Sequence, residues 1–230
     1  MICTILLVCL AFATHSTSAL SVRRQTTAGT TSPSLDITEA QVLQVSPAAN
    51  TCTGAPYADE CATAAQAAPY ITAGFQTYSI TTSGEAAALL SLMAFESGDF
   101  KYDKNHFPAP GRPGQGTRNM QSAAFNKEYA ASIPSLASQF SSLASQGDDD
   151  TTENAIRQLV LADQYDFASA AWFLTSQCSS AVRSALQGSS GSEGVALQAW
   201  QDYISSCVGT SPTSDRQAYW EKAVTALSSA

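Results

Sequence analysis

Glu96 closes an apolar run in the stretch "LMAFESGDFKYDKNHF", residues 92–107, and Ser97-Gly98 stop the helix that the run predicts. The end of a helix is the negative pole of its dipole, the wrong end for an acid. Glu96 also borders the apolar face that carries Met93 and Leu92, three and four residues earlier. Both placements disfavour a free carboxylate. A carboxyl group that holds its proton can serve as a general acid toward a poor leaving group.

The residues that could assist it follow in the chain. Residues 98–119 mix glycine, proline, charge and aromatic rings with no helical period, and a long irregular segment is often functional. Tyr102, His106 and Phe107 are candidate platforms for stacking on a ligand, or packing anchors. Asp99 and Asp103 are the nearest second carboxylates, and Asp163 and Asp166 could approach from a later helix. Arg112 and Arg118 could hold a ligand carboxylate or pair with surface acids. Past the N-terminal leader, His106 is the single histidine, so neither a zinc site nor a Ser-His-Asp triad is expected, and no cofactor or metal is assigned.

Helices must position these groups. Short helical signals around Val42 and over 58–68 precede the helix that runs from Ser83, a plausible cap, to Glu96. Pro69 reads as an interruption. After Met120 helical patterns resume, with segments over about 152–161, 164–187 and 193–206, and a last one from Ser214 to Leu227. Trp172, Trp200 and Trp220 lie on apolar stripes and are expected in the core. "YSITT" is the one β-branched cluster. The expectation is a single mainly α domain over residues 36–230 with a loop-rich flap beside a cleft.

The N-terminal residues read as a leader. Residues 4–13 are an apolar segment too short to span a bilayer, and Thr17-Ser18-Ala19 offers a cleavage site, giving a signal peptide over 1–19. Arg23-Arg24 resemble a processing site within a propeptide and Ser/Thr-rich leader over 20–35. Losing residues 1–24 removes two positive charges, taking the formal charge from −8 to −10. An acidic secreted, extracellular chain is a poor partner for nucleic acid or an anionic membrane. Cys52, Cys61, Cys178 and Cys207 then remain, which suggests two disulfides. Of three pairings, Cys52–Cys61 with Cys178–Cys207 is preferred because each closes a loop within one region.

Glu96-Ser97, the turn with Gly114 and Gly116, and Met120-Gln121 stand in an order that resembles the lysozyme-like superfamily, especially soluble lytic transglycosylases and goose-type lysozymes. The specific resemblance covers about residues 85–121; Thr117-Arg118-Asn119 and Trp172-Phe173 depart from the family pattern. It implies a lysozyme-like helical domain with Glu96 as the catalytic acid. It also implies substrate-binding roles for Ser97, Tyr102, Gly114, Gln115, Gly116, Asn119, Met120, Gln121 and Tyr165. The implied function is that of a monomeric glycoside hydrolase or lytic transglycosylase cleaving β-linked N-acetylhexosamine polymers. Peptidoglycan is the favoured polysaccharide partner. A chitinase- or chitosanase-like hydrolase and a non-catalytic cell-wall-binding protein are the alternatives.

Overall fold

Thr38 and Gln41 exchange side-chain and backbone hydrogen bonds in a capping box, and this starts the first helix of the computed structural model. The structure describes residues 35–189 and 193–228; the expected signal peptide and nearly all of the expected leader, through residue 34, lie outside them. The elements are α1 (Glu39–Val45), α2 (Ala64–Thr77), α3 (Ser83–Glu96), α4 (Ala123–Ser132), α5 (Ala137–Ala144) and α6 (Asp150–Leu159). They continue with α7 (Asp163–Asp166), α8 (Ser169–Ser176), α9 (Ser180–Gln187), α10 (Glu193–Asp202), a π-helical turn (Tyr203–Val208) and α11 (Ser214–Leu227). The domain is mainly α, as expected. Among the described residues the sole β pairing is two isolated bridges, Lys104–Gly116 and Gly116–Gln121.

Three details depart from the sequence reading. The helix expected over 58–68 begins later and runs through Pro69. A Thr63–Gln66 capping box fixes its start, and Ala67, Ala68, Ile71 and Phe75 bury its apolar face. Packing thus outweighs the missing amide of Pro69. Thr82, not Ser83, caps α3. The single helix expected over 164–187 is three short ones. Local pattern does not register the turns that bend α7, α8 and α9 around the core.

α3 is apolar on every side: Ala86 to Ala94 are buried without a break. A helix of that kind belongs at the centre of a fold. α11 and α9 pack against it, and α1 fills the space between α2 and α11. Trp200 and Trp220 stack at 5.4 Å inside this core, and Trp172 is buried in a second cluster with Tyr129, Ile156 and Phe173. Glu85, fully buried at the start of α3, accepts from Thr82 Oγ1, Arg183 Nε (2.8 Å) and Gln187 Nε2 (3.1 Å). A buried carboxylate so surrounded fastens α9 to α3. Both preferred disulfides are present, Cys52–Cys61 and Cys178–Cys207; the second ties the end of α8 to the π-helical turn.

Candidate functional site

The chain leaves α3 through an unusual turn. Gly98, Asp99 and Phe100 have φ of 57°, 60° and 62°, three consecutive left-handed residues of which only one is glycine. Such a conformation is costly for a side-chain-bearing residue. The surroundings hold it in place. Ser97 Oγ donates to Met93 O (2.6 Å) and accepts from Phe100 N (2.9 Å). Asp99 N donates to Ala94 O (2.8 Å), and Tyr219 on α11 donates to Asp99 Oδ1 (3.1 Å). Phe100 is wholly buried. The turn drives Phe100 into the core and returns the chain at Tyr102 beside Glu96.

A hollow of about 520 Å³ opens there, lined by Pro56, Tyr57, Glu96, Tyr102, Lys104, Asn105, His106, Phe107, Gln115 and Met120. His106 stacks on Tyr57 with ring centres 3.8 Å apart, and its Nε2 lies 2.9 and 3.0 Å from the two oxygens of Glu60. Glu60 is nearly fully buried and also meets Lys104 Nζ at 3.3 Å. A buried acid thus sets the angle of a half-buried imidazole under an exposed tyrosine ring. Phe107 is 83% exposed, an unusual cost in water for a large apolar ring.

The segment from Gly114 to Gln121 forms the opposite wall, and most of its polar side chains are committed to holding it. Asn126 Nδ2 donates to Gly114 O (2.8 Å), Gln121 Nε2 to Asn126 Oδ1 (2.8 Å) and Asn119 Nδ2 to Gln121 Oε1 (3.2 Å). Asn119 Oδ1 accepts from the Thr117 and Ser169 hydroxyls. Thr117 and Met120 are themselves left-handed, with φ of 61° and 49°. A Cβ on Gly114, at φ 65°, would stand 2.5 Å from Ala123 Cβ. Gly116 is pressed against Asp103 O and the Arg157 side chain. These two glycines, expected to let backbone approach a ligand, let it approach α4 and α6 instead.

Arg118 lies beneath this wall, not on the surface as expected. Its Nη1 donates to Phe100 O and Tyr102 O, both at 3.1 Å, and its guanidinium covers the Phe167 ring at 4.7 Å. Its Nε sits 2.6 Å from Asp166 Oδ2, an ion contact too bent to be a linear hydrogen bond, so neither Asp166 oxygen has an aligned donor. Burial pushes Asp166 upward and the Arg118 charge pulls it back. Burial likewise pushes Asp103 up to about 6, with Arg118 and Lys104 opposing and Glu60 and Asp59 adding to the rise.

Of the expected site residues, the hollow gathers Glu96, Tyr102, Gln115 and Met120. Ser97, Gly114, Gly116, Asn119 and Gln121 serve the turn and the wall. Tyr165, half-buried on α7, bonds Ser135 through its hydroxyl and does not line the hollow. Glu96 accepts from Arg216 on α11 at 2.7 Å (Nη2) and 3.3 Å (Nε), while the guanidinium lies over Phe95 at 4.6 Å. Glu96 thus faces an arginine from α11, a partner that its place in the helix does not disclose. Tyr57, Glu60 and Arg216 were missed because nothing local marks them. Asp166, a lone acid inside "YDFASAAWF", is the signal that could have announced a buried cation.

No family model matches this chain, and no solved structure matches it. The chain is 42% identical over 177 residues, 76% of its length, to a Fusarium oxysporum (strain Fo5176) protein named bifunctional dioxygenase (DOX)-epoxy alcohol synthase (EAS). That match corrects the lysozyme-like resemblance, which rested on a handful of residues. The glycosidase and hydrolase function, the peptidoglycan substrate, the polysaccharide partner and the acid role of Glu96 in that reaction fall with it, because the relative is named for other chemistry. The chain spans 13% of that relative's length, a domain-sized part of a much longer protein.

Proposed function

We propose that this chain is a binding domain for a small amphipathic, oxygen-bearing molecule, with an epoxy alcohol as the ligand class. The observation that carries the reading is the open hollow of about 520 Å³, within the range of small-molecule sites. Pro56, Tyr57, Tyr102, Phe107 and Met120 offer it apolar surface, and Glu96, Lys104, His106 and Gln115 offer polar atoms. A hydrocarbon chain suits the first set and hydroxyl or oxirane oxygens suit the second. The name of the Fusarium relative supports the ligand class, and the matched share of that protein supports a domain role rather than its whole activity. Two disulfides support an extracellular location for the chain.

Calorimetric titration with epoxydecanol tests this. Phe107→Ala removes the exposed ring without touching the core and should weaken binding about tenfold, the size expected when a ligand is denied one apolar ring. The melting temperature should not move. Absence of binding to the wild-type chain, or equal binding by Phe107→Ala, ends the proposal.

A further inference from the structure

His106 reaches the hollow with one ring nitrogen already committed. Its Nε2 lies 2.9 and 3.0 Å from the two oxygens of Glu60. Those oxygens also accept from Lys104 Nζ (3.3 Å) and Asp103 N (3.3 Å). A carboxylate that receives an ammonium and a main-chain N–H has only lone pairs to offer the imidazole, so the ring proton sits on Nε2. Cys52–Cys61 closes the loop that carries Tyr57 and Glu60, which puts the ring's stacking partner and its acceptor on one braced segment. Turning the ring over to exchange its nitrogens would break both Glu60 contacts.

The second nitrogen, Nδ1, is left as a lone-pair acceptor. Among the described residues no protein group donates to it, and it is not one of the buried unpaired atoms. The imidazole lines the hollow beside Glu96, and its side chain is 25% exposed. Nδ1 is therefore an acceptor open to solvent on a residue that lines the hollow. Several neighbours on the same lining are engaged elsewhere. Gln115 Nε2 donates to Met120 O, Asn105 Oδ1 accepts from Arg112 N, and Lys104 Nζ sits among Asp59, Glu60 and Asp103. Glu96 is the competing acceptor, with Oε1 taken by Arg216.

We infer that His106 is the specificity-determining residue of the hollow: its Nδ1 accepts a hydrogen bond from a hydroxyl of the ligand, and Glu60 is the positioning residue that fixes the tautomer. This deepens the epoxy alcohol reading and rests on it. The class selected is an alcohol. An ether of the same skeleton keeps its oxygen lone pairs but brings no proton to Nδ1, and the acceptor then faces an acceptor.

The experiment compares epoxydecanol with its methyl ether by calorimetric titration. Wild-type protein should bind the alcohol about three- to tenfold more tightly, the worth of one neutral hydrogen bond. His106→Phe keeps a ring against Tyr57 and removes Nδ1, and it should bind the two compounds within about twofold of each other. A circular-dichroism melt shows that the variant is folded. Long-range proton–nitrogen correlation spectra of the wild type give a readout that needs no variant to bind. The free protein should show the proton on Nε2, and the Nδ1 resonance should move upfield with the alcohol and stay with the ether. A proton found on Nδ1, an Nδ1 resonance that ignores the alcohol, or an alcohol preference that survives in His106→Phe overturns the assignment. Equal affinity of the wild type for both compounds, with Phe107→Ala still weakening both, overturns it too and leaves the binding reading standing. Binding of neither compound overturns both.

Discussion

Replacing Arg118 by Met removes the cation that faces Asp166 and leaves side-chain volume behind. Asp166 is fully buried and neither of its oxygens has an aligned donor, so Arg118 is its one ion contact among the described residues, while Phe100 O and Tyr102 O lose their Arg118 bonds. Breaking a buried pair from one side typically costs about 3–5 kcal/mol. The sign with pH follows from the direction of the shift. Burial raises Asp166 in the folded wild type, and Arg118 is the largest opposing influence, with Asp103 and Asp163 adding to the rise. Without Arg118 the folded variant keeps this proton to a higher pH than the wild type does. A raised acid contributes stability at low pH that is lost as pH rises through its folded value. The wild type stops losing stability once its own Asp166 ionises, and the variant continues to lose it. Asp103, also opposed by Arg118, moves the same way. The variant's deficit should therefore be smallest near about pH 5 and grow toward about pH 9, by at most about 1.4 kcal/mol per pH unit for each proton. Urea unfolding with disulfides intact measures it. Arg118→Met with Asp166→Leu should recover most of the loss and flatten the pH dependence. A single variant within about 1 kcal/mol of wild type at about pH 9, or a deficit that does not change with pH, would refute the reasoning.

Two other perturbations test the frame around the site. Cys178→Ser opens a loop of sequence separation 29, which on the chain-entropy account should cost about 3.5 kcal/mol, read as a lowered midpoint in denaturant; a change under about 1 kcal/mol would show that packing of α8 already closes this loop. Gly114→Ala places a methyl 2.5 Å from Ala123 Cβ and 2.9 Å from Glu153 Cβ in a left-handed conformation, so a loss of about 1–3 kcal/mol is expected in thermal unfolding, and none if α4 and α6 can part freely.

The chain's own pattern determined the helical class, the irregular segment after Glu96, both disulfide pairings and the burial of all three tryptophans. Each of these depends on period, composition or short-range closure, which a linear string carries. Four of the residues singled out through the lysozyme-like resemblance, Glu96, Tyr102, Gln115 and Met120, share a hollow, although the resemblance itself does not hold. What a string does not carry is the partner of a charge. Arg216 is 120 residues from Glu96, and Asp166 is far from Arg118 in the chain; only the packing of α11 on α3, and of α7 beneath the glycine-rich wall, joins them. Those partners decide the surroundings of each carboxyl, because a guanidinium beside an acid favours its charged form. The same residues in the same order therefore looked like an acid catalyst in one dimension and are an ion-paired rim and a rigid wall in three.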